Sequence, residues 1–404
     1  MSGFDVAAFR AQFPSLRSGI AHFDGPGGTQ TPYAVGAAIA ATLTGPLSNR
    51  GTTGLSESNA EETVAAFRSA YADFLGVPAR GVVYGRSATQ LTYDVGRAVA
   101  ATWRPGDEIV VSRLDHDANV RPWLQFAERA GVVVRWLDFD PRSSEIVWES
   151  VESAIGERTR LVAVTGASNL IGTIPPVAAI AQRAHAVGAL VWVDGVHVAA
   201  HRLVDVGALG ADVFVCSPYK FLGPHCGVLG AAPELLETLR PDKLLPSTDE
   251  VPERFELGTL PYEVLAGATA AVDVLADLGG SVAEGVGRRE RLAAAWDAIH
   301  AHEGRLRSLL EAGLGELGDR VVVHSRAADR TPTLLLTFPG RRSWDAYQFL
   351  SARGIQAPAG SFYAYEPFRR LALADTHGLR VGLAPYTGES DVQRLLEGLR
   401  VFLG

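Results

Sequence analysis

The chain has 404 residues, 47% of them hydrophobic, and a formal net charge of −8. That length supports a large core divided over two domains, and the acidic balance argues against binding nucleic acid through a broad basic face. No basic stretch precedes an apolar run near Met1, and no uninterrupted apolar run reaches about 18 residues, so neither a secretion signal nor a membrane span is expected, and a cytoplasmic location is.

In chain order, FDVAAFRAQFP (4–14) predicts a short amphipathic helix able to pack on either domain. From residue 81 strand-like runs alternate with helical patterns. They are GVVYG (81–85), a helix near Thr89–Trp103, EIVVSRLD (108–115), a helix near Val120–Ala130, VVVRWLDFD (132–140), a helix near Val151–Ile155 and RLVAVTGAS (160–168). A helix near Val177–Val187 then leads into ALVWVD (189–194), DVFVCS (212–217) and GVLGAA (227–232). Such alternation predicts an α/β architecture: a mostly parallel sheet with helices on both faces. After about Tyr262 the pattern changes. A long helical segment covering 267–279 and 290–317 leads to short strands at 321–325 and 331–338, a helix at 344–354, and the pair GIQAPAG (354–360) and LRVGLAPY (379–386). The expected organisation is an N-terminal helical segment (1–20), a large domain (21–262), and a linker helix with a smaller α+β domain (263–404).

Two residues stand out. Asp194 closes ALVWVD, and Lys220 follows DVFVCSPY, 220 − 194 = 26 residues later. Both fall where strands meet loops, the edge at which open α/β sheets bind ligands. Pyridoxal phosphate needs an amine to capture its aldehyde and a carboxylate to keep its ring nitrogen protonated, and this pair supplies them. Taken singly, Asp194 also reads as a helix cap and Lys220 as a solvated lysine. A nicotinamide site is disfavoured, because no G-x-G-x-x-G lies between a strand and a helix with an acid about 20 residues on. Cys216 and Cys226 are the only cysteines. They are too few for a disulfide framework or a four-ligand zinc site, so no metal is expected and each reads as a small buried hydrophobe.

Several further motifs occur in one order: HFDGPGGTQTP, NRGTTGLSE, GRSATQ, RLDHDANVRPW, GASNLIGT, VDGVHVAAH, SPYKFLGP, RFELGT and LRVGLAPYTGESDV. With them the chain resembles, over nearly its whole length, the class V aminotransferase group of fold-type I pyridoxal phosphate enzymes, and within it the cysteine desulfurase and selenocysteine lyase branch. The resemblance implies roles. The amides of Ala88 and Thr89, opening a helix, would meet the cofactor phosphate at the positive end of the helix dipole. Ser217 would donate a hydroxyl to the same phosphate, Ser87 is an ordinary helix cap, and Tyr219 stands where desulfurases usually carry histidine. His116 would stack on the ring, and Asn169 would reach the pyridine oxygen or the substrate carboxylate. His197 stands where desulfurases usually have glutamine, and either side chain can donate to the phenolic oxygen. Arg380 would grip the α-carboxylate through two parallel hydrogen bonds, a surface ion pair being the alternative. Thr259 would reach the phosphate in a neighbouring subunit and Arg50 would line the partner's entrance, which implies a homodimer with shared sites.

The departure from that pattern that matters most for the chemistry lies in the small domain. Desulfurases carry a cysteine on a small-domain loop shortly before the carboxylate arginine, where it takes the substrate sulfur as a persulfide. Here the stretch is GIQAPAGSFYAYEP, with Tyr363 at or beside the cysteine position. Cys226 would replace that cysteine only if the loop beyond Lys220 folded back over the substrate. The expected activity is therefore Cβ–S cleavage on cysteine or an S-substituted cysteine with sulfur leaving directly, Lys220 moving the Cα proton and Tyr363 acting as an acid or shaping the pocket. Transamination, epimerisation and a non-catalytic protein of this fold are the alternatives. Arg50, Arg121 and residues 363–370 are expected to line the entrance.

Overall fold

A computed structural model describes residues 4–279 and 286–404. Its largest sheet has seven strands in the spatial order Val82–Gly85, Gly227–Ala231, Val213–Cys216, Leu190–Asp194, Thr159–Thr165, Glu108–Ser112 and Val133–Leu137. Strands from Val213–Cys216 through Val133–Leu137 pair in parallel; Gly227–Ala231 and Val82–Gly85 add antiparallel pairs at one edge. Successive residues of the central strands enter opposite cores. Val162, Val164, Val191, Val193 and Phe214 pack into one cluster, while Leu161, Ala163, Trp192, Val213 and Val215 pack into the other. The period of two and burial on both faces explain why these runs are almost wholly apolar.

A second, antiparallel sheet has the order Ala359–Gly360, Gly378–Gly382, Thr333–Thr337 and Val322–Val323. Helices Arg288–Gly315, Ser343–Ser351 and Glu389–Leu403 cover it through Leu306, Leu310, Leu350, Leu395 and Leu399. The opening strand Ala21–His22 pairs in parallel with Ile355–Gln356, far away in sequence. Helix Val6–Arg10 packs on the same side: Phe13 meets the edge of Tyr386 at 5.2 Å, and Arg10 pairs with Asp391 at 2.6 Å.

The α/β architecture follows the alternation of apolar runs, with local differences. Two helices, Tyr33–Thr44 and Leu55–Leu75, went unread. The second carries a helical stripe, with Ala60, Val64, Phe67, Tyr71 and Phe74 buried. The first is too rich in alanine and threonine to show one. The expected linker helix is two helices, Tyr262–Asp277 and Arg288–Gly315; residues 280–285 between them lie outside the described residues. VVVRWLDFD is a strand only over Val133–Leu137, an edge strand with partly exposed residues. Among the described residues no helix is long and apolar enough to cross a membrane.

Candidate active site

A cavity of about 400 Å³ opens at the C-terminal ends of the parallel strands, within the usual range for ligand pockets. The structure brings Asp194, Lys220, His116, Asn169 and Arg380 together in its lining, with Ala88, Thr89, His197, Ser217, Tyr219 and Tyr363.

Asp194 is the last residue of its strand and is buried; the Val196 amide donates to its Oδ1 at 3.0 Å. Burial raises this carboxyl to about 6. Lys220 ends the short turn Pro218–Lys220, and its Nζ donates to the carbonyls of Pro26 at 2.6 Å and Gly27 at 3.0 Å. Burial, and then the charge of Arg380, lower the amine to about 7 against the opposing pull of Asp194. The ammonium also lies 4.7 Å from the Tyr219 ring centroid, and that ring stacks on His225 at 4.6 Å.

At another wall the helix Ala88–Ala100 begins. Ser87 Oγ accepts from the Gln90 amide at 3.1 Å, so Ser87 is the helix cap, and Ala88 and Thr89 contribute first-turn amides that a helix cannot pair internally. Strand Gly227–Ala231 lies against this turn because residue 227 has no side chain. A Cβ there would stand 2.3 Å from the Ser87 carbonyl carbon and 2.6 Å from the Ala88 nitrogen. Gly227→Ala is expected to lower stability by about 1–3 kcal/mol through this overpacking, measured by urea unfolding. Ser217, also buried, begins the turn that carries the lysine.

The Ala118 amide donates to Nδ1 of His116 at 3.0 Å, which leaves the proton of the neutral ring on Nε2. Burial, reinforced by the charge on Lys220, pushes this histidine down to about 4, so it is neutral at ordinary pH. Arg380 is only 3% exposed. Its Nη1 donates to the Asn169 carbonyl at 2.9 Å, its guanidinium lies 3.8 Å from the Phe362 ring centroid, and its Nε has no partner. Among the described residues no carboxylate pairs with it, and burial lowers it to about 9. A surface ion pair is thereby ruled out. Asn169 donates from Nδ2 to the Phe362 carbonyl at 3.0 Å and keeps a buried Oδ1 without a partner. His197 Nε2 lies 3.0 Å from the Thr331 hydroxyl and 3.1 Å from that of Thr333.

Tyr363 stands at the mouth, 78% exposed, with its ring 5.7 Å from that of His116. It and Phe362 both have positive φ, 54° and 56°, and the Tyr363 carbonyl accepts from the Asp117 amide at 2.8 Å. Two consecutive left-handed non-glycine residues are strained, at about 1–3 kcal/mol each, and such strain concentrates at ligand sites. Arg121, expected at the entrance, bonds Asp117 and lies over the Tyr365 ring.

Arg50 and Thr259 are not in this cavity. Arg50, expected at a partner's entrance, is held within its own chain by carboxylates: Nε and Nη2 both bond Glu61 at 2.8 Å and Nη1 reaches Glu253 at 3.2 Å, pairing that raises its pKa further. Thr259 is exposed beside Gly258, away from the lining. Cys226 is corrected as a possible replacement for the loop cysteine. It and Cys216 are buried outside the cavity lining, and burial pushes the Cys226 thiol up to about 12 and Cys216 well above its usual value, so neither is a thiolate.

Some site features escaped the sequence reading. Asp115 is fully buried, with Oδ1 accepting from Asn119 Nδ2 at 2.6 Å and Asn119 Oδ1 accepting from Trp123 at 3.1 Å. Burial and then the charge of Asp194 hold its carboxyl well above the usual range. Its position beside His116 was the available signal. Phe362 had its neighbour Tyr363 as a signal, whereas Thr331 and Thr333 sit in an ordinary strand pattern and had none.

Comparison with known proteins gives a consistent set of similarities. Residues 21–395 match the family described as aminotransferase class-V. The chain is 32% identical over 400 residues to an uncharacterized protein of Mycobacterium tuberculosis, with 98% of each covered. It is 31% identical over 438 residues to a cysteine desulfurase of Dickeya dadantii, covering 98% of this chain and 96% of that one. The structure is similar to that of a cysteine desulfurase from Escherichia coli, with a TM-score of 0.84 at 27% identity and 98% of each chain covered.

Proposed function

The chain belongs to the aminotransferase class-V family, and from that premise we propose that it is a cysteine desulfurase-like pyridoxal phosphate enzyme that cleaves the Cβ–S bond of cysteine or an S-substituted cysteine. The observation that carries the reading is Arg380, a buried cation that forms no ion pair among the described residues, in one cavity with an amine lowered to about 7 and a buried strand-end carboxyl. A buried charge without a partner is costly and demands an anion, and an α-carboxylate is that anion.

The residues present fit the cofactor. The first-turn residues Ala88 and Thr89 line the cavity together with Ser217, so their amides would meet a phosphate there. Asp194 would hold the ring nitrogen, His116 would cover the ring face as a neutral imidazole, and Lys220 would hold the aldehyde carbon. When bound, pyridoxal phosphate supplies a sink for the electron pair left on Cα. Arg380 and Asn169 orient the substrate by its carboxylate. Lys220 would take the Cα proton; its lowered basicity suits a base working near neutral pH. Asp194 stays ionised against the ring nitrogen. The departing sulfur is not passed to a cysteine of this chain, since both thiols are buried and protonated.

The test is a purified sample with L-cysteine, assayed for sulfide, pyruvate and alanine. Sulfide with pyruvate is expected, and activity should survive thiol alkylation. Alanine, with the substrate sulfur appearing as sulfide only when a thiol reductant is added, would mean desulfuration without a loop cysteine. A keto acid without sulfide would mean transamination, and racemised substrate alone would mean epimerisation. Tyr363→Phe is expected to keep activity within about threefold, because a solvent-facing ring shapes the mouth, whereas loss of a general acid costs about 10²–10⁴.

A homodimer in the cytoplasm completes the reading. The Arg50–Glu253 pair ties two segments whose apolar residues Leu43, Leu55, Leu245 and Leu257 are exposed, and Thr259 ends the second of them. Light scattering is expected to give the mass of two chains, and Leu55→Glu with Leu257→Glu the mass of one.

A further inference from the structure

The tautomer of His197 follows from counting protons around it. Thr333 is 0% exposed, and its hydroxyl has one proton to place. Among the described residues the acceptor within reach is His197 Nε2, at 3.1 Å. The Thr331 hydroxyl has the same nitrogen at 3.0 Å and the Gly172 carbonyl at 3.4 Å. If Nε2 carried a hydrogen, the buried Thr333 proton would have no acceptor, so Nε2 is the accepting nitrogen. The local backbone is shaped for this contact. Gly172 has φ +75°, and a Cβ there would lie 2.9 Å from Thr331 Oγ1 and 2.8 Å from the Thr333 carbonyl oxygen.

Burial, and after it the charged surroundings, hold the ring to a single proton. His201 meets His197 edge-on at 5.0 Å, and Lys220 and Arg380 add positive charge from two other elements. Of the acids nearby, Glu303 is engaged by His201 at 3.0 Å and Asp194 by the Val196 amide. We propose that Thr333, with Thr331, is a positioning residue that locks His197 in the Nδ1–H tautomer, making it a fixed donor to the phenolic oxygen of the cofactor. This deepens the function proposed above and rests on it. A glutamine amide donates whatever its surroundings; a histidine in the same place does so only if its proton is directed, and the threonine pair directs it.

The experiment has two readouts. In the protein labelled with ¹⁵N-histidine, with His197→Gln used to assign the signal, nitrogen shifts should report an unprotonated Nε2 and a protonated Nδ1; a protonated Nε2 overturns the proposal. In the cofactor-loaded protein, the pH midpoint of the visible band is then titrated for the parent, Thr333→Val, His197→Gln and the double variant. Thr333→Val should move the midpoint by about one pH unit when His197 is present and leave it in place in the His197→Gln background. Equal shifts in both backgrounds would make Thr333 merely structural and overturn the proposal. A chain that takes up no cofactor would instead refute the enzymatic reading, while the nitrogen shifts would still decide the tautomer.

Discussion

Lys220→Ala is expected to lower turnover by at least about 10³-fold and to remove the visible absorbance of the cofactor-loaded protein, because in the proposed function this amine would be both the covalent anchor and the base at Cα. Its surroundings also give a pH signature. Burial and Arg380 lower the amine from the usual lysine range to about 7. The reactive neutral form therefore predominates above pH 7, and the rate at which cofactor-free protein takes up pyridoxal phosphate should rise up to about pH 7 and then level off. An ordinary lysine would keep gaining rate for about three more units, towards 10.4. Stopped-flow absorbance from about pH 5.5 to about pH 9.5, which spans the levelling expected for Lys220 and stops short of that of an ordinary lysine, distinguishes them. A rate still climbing at the upper end would show that the ammonium is not destabilised.

The second large effect belongs to Arg380. In the proposed function Arg380→Ala would remove a charge-assisted contact to the substrate carboxylate in a desolvated pocket, and losses of this kind cost about 2–5 kcal/mol, a reduction in kcat/KM of roughly 30- to 5,000-fold. Most of it should appear in KM, since the carboxylate is held before and during the reaction. Arg380→Lys should recover little, because an ammonium can neither form two parallel bonds nor lie flat on Phe362, which the guanidinium does at 3.8 Å. The same substitution to alanine should raise the pH at which cofactor uptake by Lys220 levels off, because a neighbouring positive charge has gone. Weaker substrate binding with no movement of that pH would mean that the two cations are not coupled.

The parts of this protein that could be read from sequence are those in which local pattern and tertiary role coincide. Asp194 and Lys220 were legible because each follows an apolar run of strand length, and the parallel sheet delivers such strand ends to one edge. Arg380 was legible as a carboxylate ligand only by resemblance. Nothing local marks it as buried, and its isolation depends on Asn169 and Phe362, which come from two distant segments. The threonine pair on His197 was invisible for the same reason, since Thr331 and Thr333 become its partners only when strand Thr333–Thr337 is brought against the large sheet. Asp115 was overlooked because an acid closing a strand resembles a cap. Arg50 was read as an entrance residue, yet Glu61 and Glu253 occupy its guanidinium, and the second of these lies 253 − 50 = 203 residues away.

The pairing of Ala21–His22 with Ile355–Gln356 bears on how the protein is made. The Phe23 carbonyl accepts from the Gly382 amide, and Asp24 bridges to Gly382, so the loop whose Pro26 and Gly27 carbonyls hold Lys220 is anchored by residues near the end of the chain. A ribosome translating this message releases Pro26, Gly27 and the lysine long before it releases Gly382, which anchors their loop. The surroundings of Lys220 are therefore expected to take their final form only once the first and last parts of the polypeptide have met.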